Sequence, residues 1–162
     1  MNTKILLKVD SKKDFFDYKG DFDGVYFNSP NNYFELLEDK ELFIDVTNLS
    51  TQETIEVCKK INGARVSFVV DSVMKAVFIK SIIETAKISY YLDGYDREIL
   101  PFISANRFDV TIKYTALAPE RVEELHRHNA KINCVFLSRL DEVDVLKYYL
   151  ADYVTVVKDV KP

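Results

Sequence analysis

Short apolar, β-branched runs recur along the chain every 17 to 23 residues, and each is followed by a segment with helical spacing. The runs predict strands at Lys4–Val9, Val25–Asn28, Leu42–Thr47, Arg65–Val70, Ile88–Leu92, Phe108–Lys113, Lys131–Leu137 and Tyr153–Val157. The intervening helices have readable starts. Ser29 and Pro30 supply an N-cap and a first-turn proline, and Ser50 with Glu53 forms a capping box before a stop at Gly63. Pro119 opens a later helix, and Ser138 is the expected start of the last one.

Strand–helix alternation of this kind implies parallel strands joined by right-handed crossovers. A closed barrel and an open parallel α/β sheet both fit. A leucine-rich solenoid does not, because no L-x-x-L-x-L-x-x-N ladder repeats. Eight strands is the barrel number, and the spacing leaves room only for helices of two to three turns. The expectation is a single domain over residues 1–162, a small (β/α)8 TIM-like barrel with short helices. The alternative is the open sheet. The stretch Ser11–Asp23 is the weakest unit, with space for about two turns of helix.

The segment SVMKAVFIKSIIETA departs from the outer-helix pattern. Met74, Ala76, Phe78, Ile79, Ile82, Ile83 and Ala86 spread over roughly 200° of a helical wheel, at about 100° per residue. A barrel helix needs an apolar stripe of only about 100°. Val73 and Val77 extend the surplus. Either the 73–86 helix makes a broad core contact, or Met74, Phe78 and Ile82 meet a second copy or a protein partner.

Composition narrows the function classes. With 48% hydrophobic and 30% charged residues the chain is ordinary globular protein. A net charge of -4 and a pI near 5.3 argue against a nucleic-acid binder, which needs a positive face. No apolar run approaches the roughly 20 residues that cross a bilayer. No leader pattern precedes the first strand, so the expected location is cytoplasmic. Cys58 and Cys134 lie in apolar patterns and are expected as buried free thiols. Only Gly20, Gly24, Gly63 and Gly94 are glycines, so glycine-cradled phosphate or dinucleotide binding is not expected. Walker, G-x-S-x-G, C-x-x-C and H-E-x-x-H motifs are all missing. Tyr90, Tyr91, Tyr148 and Tyr149 fall in strand or helix patterns and are expected as packing residues.

From about Ile88 to the end, YTALAPERVEELHRHNAKINCVFLSRLDEVDVLKYYLADYVTVV resembles the C-terminal half of the glycerophosphodiester phosphodiesterase family. It follows that family's run of loop, helix, strand, loop, helix and closing strand. ELFIDVTN resembles the family's third strand, which carries Glu-x-Lys. The resemblance implies a βα barrel. It also implies a chemistry of two histidines and several carboxylates around a divalent metal. Here the sequence departs from the family. The first strand ends KVDSKK without a His-Arg-Gly motif, and VFLS stands where the family has a tryptophan motif. Asn28 takes the place of an aspartate, and Asp45 and Thr47 stand for the Glu and Lys. The two histidines, His126 and His128, fall late in a helix and are expected on its solvated surface, away from the usual active face. The chain thus resembles a divergent member of that family lacking the catalytic histidines.

In a βα barrel, function sits at the C-terminal strand ends. These ends carry Asp10, Asn28, Asp45, Asn48, Asp71, Asp93, Lys113, Ser138, Arg139, Lys158 and Asp159. One expectation is that the Asp, Asn and Ser among them cap the helices that follow. The other is a carboxylate ring of Asp10, Asp45 and Asp71 holding Mg²⁺ or Ca²⁺, with Lys113 or Lys158 beside it as catalytic candidates. Two functions therefore stand side by side. The first is a non-catalytic, phosphodiesterase-like binding or assembly module without a cofactor, self-associating through the 73–86 helix. The second is a divergent metal-dependent phosphodiesterase or hydrolase.

Overall fold

A computed structural model describes residues 2–10, 21–28, 40–61 and 66–162. The helix expected from Ser29 and Pro30, the greater part of Ser11–Asp23, and the stop at Gly63 lie outside the described residues.

Eight strands form a closed, all-parallel barrel in sequence order: β1 (Lys4–Val9), β2 (Gly24–Phe27), β3 (Glu41–Asp45), β4 (Val66–Val70), β5 (Lys87–Leu92), β6 (Asp109–Lys113), β7 (Ile132–Arg139) and β8 (Tyr153–Lys161). Closure is made by β1 against β8, with Lys4 opposite Tyr153 and Leu7 opposite Val156. The closed barrel, not the open sheet, is the observed architecture. Outside it lie α1 (Thr51–Lys60), α2 (Val73–Ile82), α3 (Leu100–Asn106), α4 (Pro119–Arg127) and α5 (Leu140–Tyr148), with 3₁₀ turns at Arg97–Ile99 and Tyr114–Ala116.

The strands are buried on both faces, which is why β2 and β4 have no exposed position and are apolar apart from Ser67. Outward-pointing residues such as Leu7, Phe27, Ile44, Phe68 and Val70 pack against the helices through Val57, Ile79, Ile103, Leu125 and Leu146. Inward-pointing residues form a second core of Leu6, Tyr26, Phe43, Val69, Val135 and Tyr153. Aromatic rings fill that interior. Tyr26 meets Phe136 edge-on at 5.1 Å, and Phe43 meets Tyr153 at 5.0 Å. On β4 to β8 the interior turns polar, with Ser67, Ser89, Thr111, Asn133 and Thr155 all buried. Ser89 and Thr111 share a 2.6 Å hydrogen bond, and Thr155 donates to Asn133 at 2.8 Å.

Gly24 is required by the interior. A Cβ there would stand 2.5 Å from the Glu41 carbonyl oxygen and 2.6 Å from a Leu6 methyl, so only glycine lets β1, β2 and β3 close together.

Local signals held where they were strongest. Ser50 accepts from Glu53 N–H while the Glu53 side chain accepts from Ser50 N–H, so the capping box at α1 is complete. Three differences have physical causes. Strand β7 runs on to Arg139, so Ser138 lies in a strand and α5 starts at Leu140 without a side-chain cap. A bulge in β7, where Cys134 to Leu137 spans the same ladder as Val154 to Val156, turns both Val135 and Phe136 toward the interior. The helix expected over 73–86 stops at Ile82, where Ile83 is extended.

Candidate functional site at the upper mouth of the barrel

The C-terminal strand ends carry Lys8, Asp45, Thr47, Tyr91, Asp93 and Lys113. The Lys8 ammonium lies 4.7 Å from the centre of the Phe136 ring, a cation–π contact above the interior core.

The carboxylates at this mouth are each engaged separately. Asp45 points inward from the end of β3, where Tyr26 O–H donates to its Oδ2 at 2.7 Å. Its Oδ1 accepts from Thr47 N–H at 2.9 Å and from Thr47 O–H at 2.6 Å. Burial and the neighbouring carboxylate together push the Tyr26 phenol well above its usual range, so it stays a donor. Asp71 stands 3.6 Å from Lys75, which also donates to the carbonyls of Val46 and Thr47 at 3.0 and 2.8 Å. Asp93 pairs with Lys113 at 2.9 Å. The Lys113 hydrogen bond and charge hold Asp93 below the ordinary carboxylate range, and Asp93 in turn raises Lys113. Burial raises the adjacent Tyr91 phenol.

The three metal-ligand candidates therefore occupy different surroundings. Asp45 is locked between Tyr26 and Thr47, Asp71 is salt-bridged on the outer side at the start of α2, and Asp10 is exposed beyond β1. Among the described residues no group of three His, Cys, Asp or Glu side chains could hold a metal ion. The divalent ion that the resemblance implies does not fit these residues as they stand. Nor do Asp45 and Asp71 cap the helices that follow them, and the segment after Asp10 lies outside the described residues. Ser50 caps α1, Ser72 accepts from Lys75 N–H at the start of α2, and Asp96 caps the first 3₁₀ turn. Of the two lysine candidates, Lys113 is committed to Asp93, and Lys158 is exposed on β8.

The expectation of two solvated histidines is corrected. His126 is half-buried at the opposite, N-terminal end of the barrel, with Nε2 2.8 Å from Asp152 Oδ2. Asp152 also accepts from Ile132 N–H at 2.9 Å, so this pair ties α4 to the starts of β7 and β8. His128 is half-buried after the end of α4. Among the described strand ends at the upper mouth there is no histidine.

No family model matches the chain, and no curated protein does. Solved structures do match it. A protein assigned as a glycerophosphodiester phosphodiesterase from Galdieria sulphuraria superposes with a TM-score of 0.61 at 12% identity, over 73% of this chain and 54% of that one. The fold is that of the glycerophosphodiester phosphodiesterases. A phosphodiesterase from Oleispira antarctica, solved with sn-glycerol-3-phosphate as product, gives 0.62 at 11% identity over 75% and 52%. A structure from Silicibacter pomeroyi, assigned as a glycerophosphoryl diester phosphodiesterase, gives 0.59 at 9% over 75% and 48%. The chain thus spans about half the length of these phosphodiesterase structures.

The polar arc on the barrel interior lies below the strand ends and is not among the candidates read there. Its signal is present in the sequence, as a polar residue between apolar ones in ISY, VTI, INC and VTV early in each strand.

Proposed function

We propose that the chain is a non-catalytic, phosphodiesterase-like barrel that works as a binding and assembly module in the cytoplasm. The observation that carries this reading is the separate engagement of Asp45, Asp71 and Asp93 at the upper mouth. A cation would have to break the Tyr26–Asp45 bond and the Lys75–Asp71 pair and draw together side chains on different strands. Buried free thiols at Cys58 and Cys134 agree with a reducing compartment. Among the described residues no helix is long and apolar enough to cross a membrane.

The assembly half of the proposal rests on α2. Its core side is Ala76 and Ile79, while Val73, Met74 and Val77 face outward, Met74 at 65% and Val77 at 60% exposure. Ile82 is also exposed and Phe78 is half-buried. The surplus apolar arc is therefore a surface feature, and we assign it to pairing with a second copy, since one patch is its own complement across a two-fold axis.

Two measurements test these halves. Calorimetric titration with Mg²⁺, Ca²⁺ and Mn²⁺ is expected to give no heat of specific binding. Binding lost on Asp45→Asn would instead favour a metal-dependent hydrolase using Asp10, Asp45 and Asp71 with Lys113 or Lys158. Light scattering on the eluting protein is expected to give a dimer that the Met74→Glu, Val77→Lys variant converts to monomer. A wild-type monomer at high concentration removes the self-association.

A further inference from the structure

The lower, N-terminal mouth of the barrel is a second concave site. An opening of about 400 Å³ is lined by Lys4, Glu41, Lys87, Lys131, Asp152 and Tyr153. Beneath it a narrow cavity of about 10 Å³, room for one water-sized group, is lined by Lys87, Asp109, Lys131 and Asn133.

Each carboxylate at this mouth accepts at least one hydrogen bond. Glu41 takes a hydrogen bond from Lys4, Asp152 holds His126 and Ile132 N–H, and Asp109 accepts from Lys131 N–H at 2.9 Å. Three donors at the mouth are less committed. Neither the Lys87 nor the Lys131 ammonium group is in an ion pair among the described residues. Asn133 is 1% exposed, its Oδ1 accepts from Thr155, and its Nδ2 has no hydrogen-bond partner. Buried donors without acceptors are rare in native proteins and call for an explanation. Lys87, at the start of β5, and Lys131, just before β7, flank Asp109 at the start of β6, while Lys4 is paired with Glu41 and Asp152 is engaged by His126 and Ile132 N–H.

We propose that the lower mouth binds a small oxyanion, a carboxylate or phosphate group held between Lys87 and Lys131. One of its oxygens, or a water beneath it, accepts from Asn133 Nδ2 down the narrow cavity. Nothing in this site involves the upper strand ends, so it stands or falls independently of whether the barrel is catalytic.

The test is titration of the full chain with inorganic phosphate, and separately with acetate, at constant ionic strength in chloride. The readout is the Asn133 side-chain amide resonances. A saturable shift with either oxyanion is expected, and the two arms decide which head group the site prefers. The Lys87→Met, Lys131→Met variant should bind at least about tenfold more weakly, the loss of charge-assisted hydrogen bonds. Lys80→Met on the outside of α2 should bind as the wild type does. Absence of a saturable shift overturns the proposal, as does a shift of equal midpoint in the double lysine variant. A thermal melt of each variant confirms that the fold is retained.

Discussion

Replacing Gly24 with alanine tests the barrel at its tightest interior point. Two effects oppose each other. Gly24 does not have a positive φ, so alanine can adopt its backbone conformation, and the smaller unfolded-state entropy alone would stabilise by about 0.4–1 kcal/mol. Against this, the new Cβ meets the Glu41 carbonyl at 2.5 Å, and a backbone oxygen in the β2–β3 ladder cannot rotate away as a side chain can. The Leu6 methyl at 2.6 Å must shift as well, inside the filled interior. Overpacking of this kind costs about 1–3 kcal/mol, and the backbone contact places it at the upper end. The net expectation is a loss of roughly 2 kcal/mol, or about 4–8 °C in Tm for a chain of this size. Urea unfolding followed by circular dichroism reads it as a lower midpoint at unchanged slope. Gly94→Ala is the internal control, because a Cβ there meets nothing within 4 Å, and it should be neutral or slightly stabilising. Equal stability of the Gly24→Ala and Gly94→Ala variants would refute the inward orientation of Gly24 and the β1–β2–β3 register that depends on it.

Three further outcomes are expected. Leu150 follows α5 at φ 66°, a left-handed conformation unfavourable for a branched side chain, and its side chain is 61% exposed. Leu150→Gly should therefore raise stability by about 0.5–1 kcal/mol in the same urea assay, and a lower midpoint would show that its packing outweighs the backbone. Asp109 is raised above the ordinary carboxylate range, chiefly by burial, with the Lys131 N–H and the Lys131 and Lys87 charges opposing. A raised carboxyl contributes stability that is present below its unfolded value near pH 4 and lost as pH rises through the folded value. Asp109→Asn keeps the acceptor for Lys131 N–H, so its stability relative to wild type should improve between pH 4 and pH 7. A relative stability that stays flat or falls over that range would contradict this. Burial pushes the Cys58 thiol up to about 11 and the Cys134 thiol up to about 12. Both should react with a disulfide reagent at pH 8 only as fast as the chain opens, and rapid labelling of the folded protein would contradict their burial.

The strands were the legible part of the chain because burial on both faces leaves continuous apolar runs at 17–23-residue spacing. Helix ends were harder. Glycine is the usual stop signal, but Arg107, Asn129 and Leu150 take the left-handed positions after α3, α4 and α5. The start of α5 was misplaced because Ser138, a good cap residue, continues β7 as far as Arg139. At the upper mouth the sequence identified Asp45, Asp71 and Asp93 as strand-end carboxylates. It could not show that Tyr26, Lys75 and Lys113, distant in sequence or on the following helix, would each take one. The outward face of α2 was visible as a surplus of apolar positions, and the structure resolved which of them face out. The pairing of His126 with Asp152 depends on α4 lying against the start of β8, a contact between elements that no local pattern encodes.

The most direct test of the central claim is hydrolysis of a glycerophosphodiester by the full chain in the presence of Mg²⁺, Ca²⁺ or Mn²⁺, measured beside the Asp45→Asn variant. Carboxylates bound to Tyr26, Lys75 and Lys113 predict release no faster for the wild type than for the variant, with every ion. Metal-dependent turnover that Asp45→Asn abolishes would contradict the account and make the upper mouth an active site.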